Sequence, residues 1–212
     1  MSELIILIPS YNEIKSLTKI VFALNKKYKI LVVDDSSTDG TCHFLKKNKI
    51  DHIINKNNQG YTVSLIKGIN YIKKNYKKKY ILTLDADGEH KLSFIKKIFD
   101  KIKGENLDLV IGNRNFKNRI SENLISKYLD IKCGIKDPLS GFKIYETNSL
   151  YRYINKVEKK KFLIDLVAVY IKNSLKIKNI NIIVNRVKNR RSRTGTGIIS
   201  NIKIFSSIKY FI

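Results

Sequence analysis

Acidic residues are scarce in this chain: 18 Asp and Glu stand against 42 Lys and Arg, a formal net charge of +24. An excess of that size suits a polyanionic partner such as nucleic acid, anionic lipid or a phosphorylated substrate. It does not single out any of these, because the excess is mostly lysine in a chain also crowded with Ile and Asn. Cysteine is nearly absent too. Cys42 and Cys133 have neither metal-type spacing nor a framework pattern, which excludes a disulfide scaffold and fits two reduced thiols in a cytosolic protein. With two prolines and no linker rich in Pro, Gly or Ser, nothing marks a domain boundary. No uninterrupted apolar run approaches the ~18 residues a membrane-spanning helix needs. The opening run Leu4–Ile8 is too short, and too poor in flanking basic residues, for a signal-peptide core.

What is present is enough for one globular domain. The chain has 212 residues, 43% of them hydrophobic, which supports a single core. Leu4–Ile8, Ile30–Val33, Tyr80–Leu84 and Leu107–Ile111 are short runs rich in β-branched residues. They predict buried parallel strands. Ile14, Leu17, Val21 and Leu24 follow the first run at helical spacing, and Leu92, Ile95, Ile98, Phe99 and Ile102 follow the third. Alternation of this kind predicts an α/β domain, with helices covering a mainly parallel sheet. The character changes after residue 185. Residues 186–212 carry seven Lys and Arg and no acid, with Ile198, Ile202, Phe205, Ile208 and Ile212 at helical spacing. This basic amphipathic segment suits a membrane surface or a terminal helix docked on the domain of residues 1–185.

The acids gather where chemistry sits in α/β proteins, just past the ends of the apolar runs. Pro9-Ser-Tyr-Asn-Glu13 follows the first strand, with Asn12 or Glu13 placed to start the next helix. Asp34 and Asp35 follow the second. Adjacent carboxylates repel, so such a pair is kept to accept hydrogen bonds or to face a cation; ribose hydroxyls and base N–H groups are suitable donors. Asp39 is a sensible N-cap for the following helix. Asp85-Ala-Asp87 ends the third strand, with Glu89 two residues on as a third oxygen donor. Hard cations such as Mg²⁺ and Mn²⁺ take oxygen ligands and share themselves with substrate phosphates. An EF-hand loop needs a longer ligand series, absent here. Of the histidines, His43 is expected at the surface of a helix, His52 to be structural, and His90 to stand behind the acid motif.

Taken in order, Pro9–Glu13, Asp34-Asp35 and Asp85-Ala-Asp87 resemble the signature of glycosyltransferase family 2 on the Rossmann-like GT-A fold. Asn58-Gln-Gly60 with Gly68 is similar to the family's Asn-x-Gly segment, and Gly112-Asn-Arg114 to its Gly-Ser-Arg, with Asn replacing Ser. Asp137-Pro-Leu-Ser-Gly-Phe-Lys143 resembles the Asp-x-x-Ser-Gly-Phe-Arg segment of the dolichyl-phosphate mannose synthase-like branch, and Arg191–Gly197 resembles that branch's basic loop. The likeness spans residues 4 to 205.

The resemblance implies a metal-dependent transferase that moves a hexose, with inversion, from a nucleotide-diphosphate sugar. It implies nucleotide binding by Pro9, Tyr11, Glu13, Asp34, Asp35 and Asp85. It implies Mg²⁺ or Mn²⁺ at Asp85 and Asp87, with Glu89 where the family usually has Gln. Catalytic roles fall to Asp87, Arg114 and Asp137, and acceptor or phosphate contacts to Arg119, Ser140, Arg191 and Arg193. A sugar hydroxyl acceptor needs a carboxylate base, for which Asp137 and Asp165 are the candidates. A polyprenyl phosphate is already anionic and needs none. The branch resemblance and the basic tail favour that acceptor, and with it a cytoplasmic protein able to sit at the cytoplasmic face of a membrane or on a membrane subunit.

Two other classes fit less well. A basic nucleic-acid-binding module calls for aromatic residues interleaved with basic ones and no organised acid cluster. A response-regulator receiver places its acid pair after the first strand, whereas here the pair follows the second.

Overall fold

A computed structural model describes residues 3–117, 119–157 and 162–185. The elements run β1 (Leu4–Ser10), α1 (Ile14–Leu24), β2 (Lys29–Asp34), α2 (Thr41–Lys47), β3 (His52–Ile54), α3 (Tyr61–Asn75), β4 (Tyr80–Thr83), α4 (Phe94–Gly104), β5 (Leu109–Arg114), α5 (Ile120–Cys133), β6 (Lys143–Glu146), α6 (Thr147–Tyr153), α7 (Phe162–Lys172) and β7 (Ile177–Ile182). The strands form one sheet in the order β3-β2-β1-β4-β6-β5-β7. Only β6 runs antiparallel to its neighbours. The mainly parallel α/β fold expected from the strand–helix alternation is therefore the one observed. The segment 186–212, expected to be basic and amphipathic, lies outside the described residues.

Side-chain alternation along buried strands builds two cores, one on each face of the sheet. Leu4, Ile6 and Ile8 of β1 pack with Leu17, Val21 and Leu24 of α1 and Ile95, Ile98 and Ile102 of α4. Ile5 and Leu7 point the other way, into Leu65, Ile69 and Ile72 of α3. The four apolar runs all become strands, with one shift of bounds. The fourth begins at Leu109 rather than Leu107, because the Leu107 N–H still bonds to Ile102 O and closes the end of α4. The helix beginning near Leu92 starts at Phe94, after a turn. Strands β3, β6 and β7 escape a search for apolar runs. They have three, four and six residues, and β7 carries polar Lys178, Asn179 and Asn181.

The parallel register Ser10↔Asp34 sets the β1–α1 and β2–α2 loops side by side. Asp39, expected as the N-cap of α2, stands one residue before that position. Gly40 holds the N-cap position of α2. Asp39 Oδ1 accepts from Thr41 N (3.1 Å) and Thr41 Oγ1 (2.6 Å), while Oδ2 accepts from Ile14 N (2.8 Å) at the start of α1. Partial burial opposes its charge, but these three donors outweigh burial and hold the carboxyl below its ordinary value. One side chain thus joins two helix N-termini beside the sheet's carboxyl edge.

α3 lies tight against the sheet because Gly68 has no side chain. A Cβ there would stand 2.3 Å from Leu7 Cδ1 and 3.0 Å from Val33 Cγ2, both in the closed core. Gly68→Ala gains roughly 1 kcal/mol of helix propensity and loses more to overpacking. A net destabilisation of about 1–2 kcal/mol is expected, read as a lower urea midpoint at unchanged m-value. A raised midpoint would show that α3 can lift off the sheet freely.

Candidate active site

Strand order reverses between β1 and β4, and the crevice beyond their carboxyl ends is where open α/β sheets bind ligands. Asp85 emerges there two residues past β4. Its Oδ1 accepts from the Tyr61 hydroxyl (2.8 Å), at the first residue of α3, and its Oδ2 lies 3.2 Å from His90 Nε2. Burial by itself would raise this carboxyl. The hydrogen bond and Coulombic pull of His90, with the Tyr61 hydroxyl and Arg114, outweigh burial and bring it down to about 2. Burial and the Asp85 charge push the Tyr61 hydroxyl well above its ordinary value, so it remains a donor.

The loop before β6 completes this pocket. A Cβ on Gly141 would sit 2.3 Å from both Asp85 carboxylate oxygens, so only glycine lets the carboxylate rest there. Thr83 Oγ1 donates to Gly141 O (2.7 Å) and fixes that approach from β4. Phe142 stacks on the His90 ring at 5.1 Å between centroids, which orients the imidazole toward Asp85. Ser140 Oγ accepts from Phe142 N (3.2 Å), so this hydroxyl, expected at the acceptor, is turned into its own loop. Lys143 is fully buried, and its ammonium donates to Pro138 O (2.8 Å) and Ser140 O. Burial drives Lys143 down to about 7, opposed by the charges of Asp137 and Asp85. Lys143, which ends the motif, is thus the residue that holds the loop.

Asp87 Oδ1 accepts from the backbone N of Glu89 (2.9 Å), while Glu89 O accepts from Asn185 N. Glu89 thus orients Asp87 through its backbone. Among the described residues no three His, Cys, Asp or Glu already converge as a metal-holding group. Two carboxylates are nevertheless a fitting donor set for Mg²⁺ or Mn²⁺, which complete their shells with water and substrate phosphates.

Across the crevice, Arg114 ends β5. Its backbone N (3.1 Å) and Nε (2.8 Å) donate to Asp137 Oδ2, and its Nη2 (3.0 Å) donates to Asp137 Oδ1. Glu122 bridges Arg114 (3.3 Å) and Arg119 (3.2 Å). Burial opposes the Arg114 charge, but Asp137 and Glu122 more than compensate and raise its pKa. Asp137 was a candidate base. A base must reach the hydroxyl it deprotonates, and Asp137 is fully buried with three N–H groups directed at it. It orients Arg114 instead. Asp165, the other candidate, is buried in α7.

The acid pair at the end of β2 divides its work. Asp35 accepts from Asn55 Nδ2 (2.6 Å), Gln59 N (2.9 Å) and Gly60 N (2.8 Å), and so ties down the loop leading into α3. Asp34 Oδ1 accepts from Ser37 N (3.1 Å), while its Oδ2 and the neighbouring Ser10 Oγ are buried without a hydrogen bond. Buried polar atoms are costly to leave so, and these two lie at the carboxyl ends of β1 and β2. Pro9 is buried beside them, and Tyr11 and Glu13 are partly buried on the loop that follows. Arg191 and Arg193 lie outside the described residues.

The sequence model of glycosyl transferase family 2 matches residues 5–177. The chain belongs to this family, and its domain is a glycosyltransferase domain. It is 35% identical over 122 residues to an uncharacterized protein of Methanocaldococcus jannaschii, a match spanning 54% of this chain and 53% of that protein, about half its length. It is 28% identical over 235 residues to the UDP-N-acetylglucosamine–dolichyl-phosphate N-acetylglucosaminyltransferase of Methanococcus voltae, covering 94% of this chain and 92% of that one. In fold it resembles glucosyl-3-phosphoglycerate synthase from Mycobacterium tuberculosis, solved with Mn²⁺, UDP-glucose and phosphoglyceric acid. That TM-score is 0.75 at 15% identity, over 98% of this chain and 79% of the other.

Displacing a reacting group by about 1 Å can cost about a hundredfold in rate. Gly141→Ala is therefore expected to lower kcat/KM for nucleotide-sugar consumption by about a hundredfold, while circular dichroism stays native. Wild-type turnover would show that Asp85 does not depend on this contact. Lys143 gives a pH signature. Its folded pKa of about 7 lies below the unfolded value of roughly 10.4, so between them the unfolded chain binds more protons and stability rises with pH. The urea stability of wild type minus that of Lys143→Met should climb as pH goes from about 7 to 9 and flatten below 7. A flat difference throughout would place the Lys143 pKa at its ordinary value.

Proposed function

We propose that the protein transfers a hexose, with inversion, from a nucleoside-diphosphate sugar to the phosphate of a polyprenyl phosphate, with a divalent cation held by Asp85 and Asp87. The observation that carries this reading is Asp85, kept ionised by Tyr61 and His90 in the switch-point crevice and facing the Arg114 cluster. When bound there, Mg²⁺ or Mn²⁺ would stabilise the negative charge that develops on the departing diphosphate.

The chain's own residues divide the remaining tasks. The β1–α1 and β2–α2 loops, with Tyr11 and Glu13 partly exposed on the first and Pro9, Asp34 and Asp35 beneath them, take the nucleoside. Asp35 holds the loop that presents Tyr61. Arg114, set by Asp137, and Arg119, set by Glu122, bring positive charge toward phosphate oxygens, as Arg191 and Arg193 would from the tail. The burial of both candidate bases favours an acceptor that is already an anion. The names of two proteins similar to this chain agree with the reading. The M. voltae transferase acts on dolichyl phosphate, and the structural neighbour binds Mn²⁺ and UDP-glucose. Among the described residues no helix is long and apolar enough to cross a membrane.

A thermal-shift panel of nucleoside diphosphates and nucleotide sugars, with and without Mn²⁺, tests the donor site. A ligand that binds the folded state raises Tm, by about 2.7 kcal/mol of stability at a hundredfold excess over Kd. A Mn²⁺-dependent rise with one nucleotide, lost in Asp87→Ala, is the expected result. A rise only with oligonucleotides, indifferent to Asp87→Ala, would replace the transferase reading with a nucleic-acid-binding one.

A further inference from the structure

Helix α5 is apolar on both of its sides. Ile125 and Leu129 are buried in the core, with Ser121, Glu122 and Ser126 beside them. On the outer side Ile120 is 76% exposed, Leu124 50% and Ile131 81%. At 100° per residue these three fall within an arc of about 40°, diametrically opposite Leu129, and the row they form is roughly 16 Å long. A surface helix normally gives that arc to charged residues. Other exposed large apolar side chains, such as Phe22 and Tyr71, sit singly on their helices.

The surroundings of the row indicate what it meets. Lys127 falls on the edge of the same arc, and Lys132 and Lys136 follow, all exposed; the acid among them is Asp130. An apolar ridge with basic residues alongside suits the boundary between anionic headgroups and acyl chains, where lysine stems lie along apolar surface and their ammonium groups reach the phosphates. The placement also fits. Arg119 is the N-cap of α5, Glu122 in its first turn binds both Arg114 and Arg119, and Asp137 comes four residues after its end. The helix whose inner side holds the guanidinium cluster therefore bears the apolar row on its outer side.

We propose that the outer face of α5, Ile120, Leu124 and Ile131 with Lys127 alongside and Lys132 and Lys136 at its C-terminal end, is a docking surface for an anionic lipid bilayer. It deepens the lipid-phosphate reading given above by naming the surface that would bring this site to the membrane.

The test is flotation of the full chain with phosphatidylglycerol–phosphatidylcholine vesicles and with phosphatidylcholine vesicles alone. Wild type should bind the anionic vesicles and lose binding as salt rises. A variant combining Ile120→Gln, Leu124→Gln and Ile131→Gln should bind roughly tenfold or more weakly at unchanged circular dichroism, while Phe22→Gln on α1 binds as wild type. Lys127→Gln with Lys132→Gln should weaken binding to anionic vesicles and flatten its salt dependence. Vesicle binding untouched by the triple variant would overturn the proposal. So would a wild type that ignores vesicles but self-associates through this face, seen as a dimer that the triple variant dissolves. Transfer to a short, water-soluble prenyl phosphate needs no bilayer and is measured in parallel. If that transfer is absent while vesicle binding still depends on α5, the acceptor reading fails and the docking surface stands.

Discussion

Everything at the crevice depends on the close approach of one carboxylate to one glycine. Asp85 is an acid partly withdrawn from water at the crevice wall, and such a charge is best retained when it is met from several sides. Tyr61 and His90 supply hydrogen bonds, Arg114 supplies charge at longer range, and Gly141 supplies space. Tyr61 comes from α3, His90 from the loop after β4, Arg114 from β5 and Gly141 from the loop before β6. The fold is what brings them together, and the carboxylate is what gives their meeting a purpose.

Around that contact the charges alternate in sign. Asp85, Arg114, Asp137 and the buried Lys143 lie close enough to influence one another's protonation, and Glu122 continues the series to Arg119. Removing one member of such a series leaves its neighbour buried and unopposed, which is more damaging than the loss of a single ion pair at the surface. The arrangement suits a site that must receive a highly anionic ligand without rearranging, because the positive groups are already fixed by partners of their own.

Much of this was readable beforehand. Apolar runs marked the central strands, since a strand buried on both faces has no polar alternation to hide it. Acids clustered at strand ends marked the crevice, and Asp85-Ala-Asp87 was placed there from its position alone. What the sequence concealed depends on three dimensions. The short strands β3 and β6 carry too few residues for a pattern, and edge strand β7 mixes polar side chains into its run. Asp137 reads as a base because burial is invisible in a string of letters, and its commitment to Arg114 spans 23 positions. Asp35 and Asp34 look equivalent as neighbours, yet alternation sends them to different partners. Ile120, Leu124 and Ile131 share one helical face, and nothing in the letters marks it as the outward one, since Ile125 and Leu129 on the opposite side are just as apolar.

Strand β6 runs against the rest of the sheet, and this has a bearing on how the chain can vary over evolutionary time. Its beginning, rather than its end, lies at the crevice, with Lys143 paired to Thr83 on one side and to Ile111 on the other. The segment from Asp137 to Phe142 is therefore measured off between two fixed points, the Arg114 guanidinium and the strand register. Losing or gaining one residue there would exchange the two faces of β6 and carry Lys143 away from the loop it holds. Side chains in this segment can drift among descendants of the gene, but insertions and deletions should accumulate elsewhere along the chain.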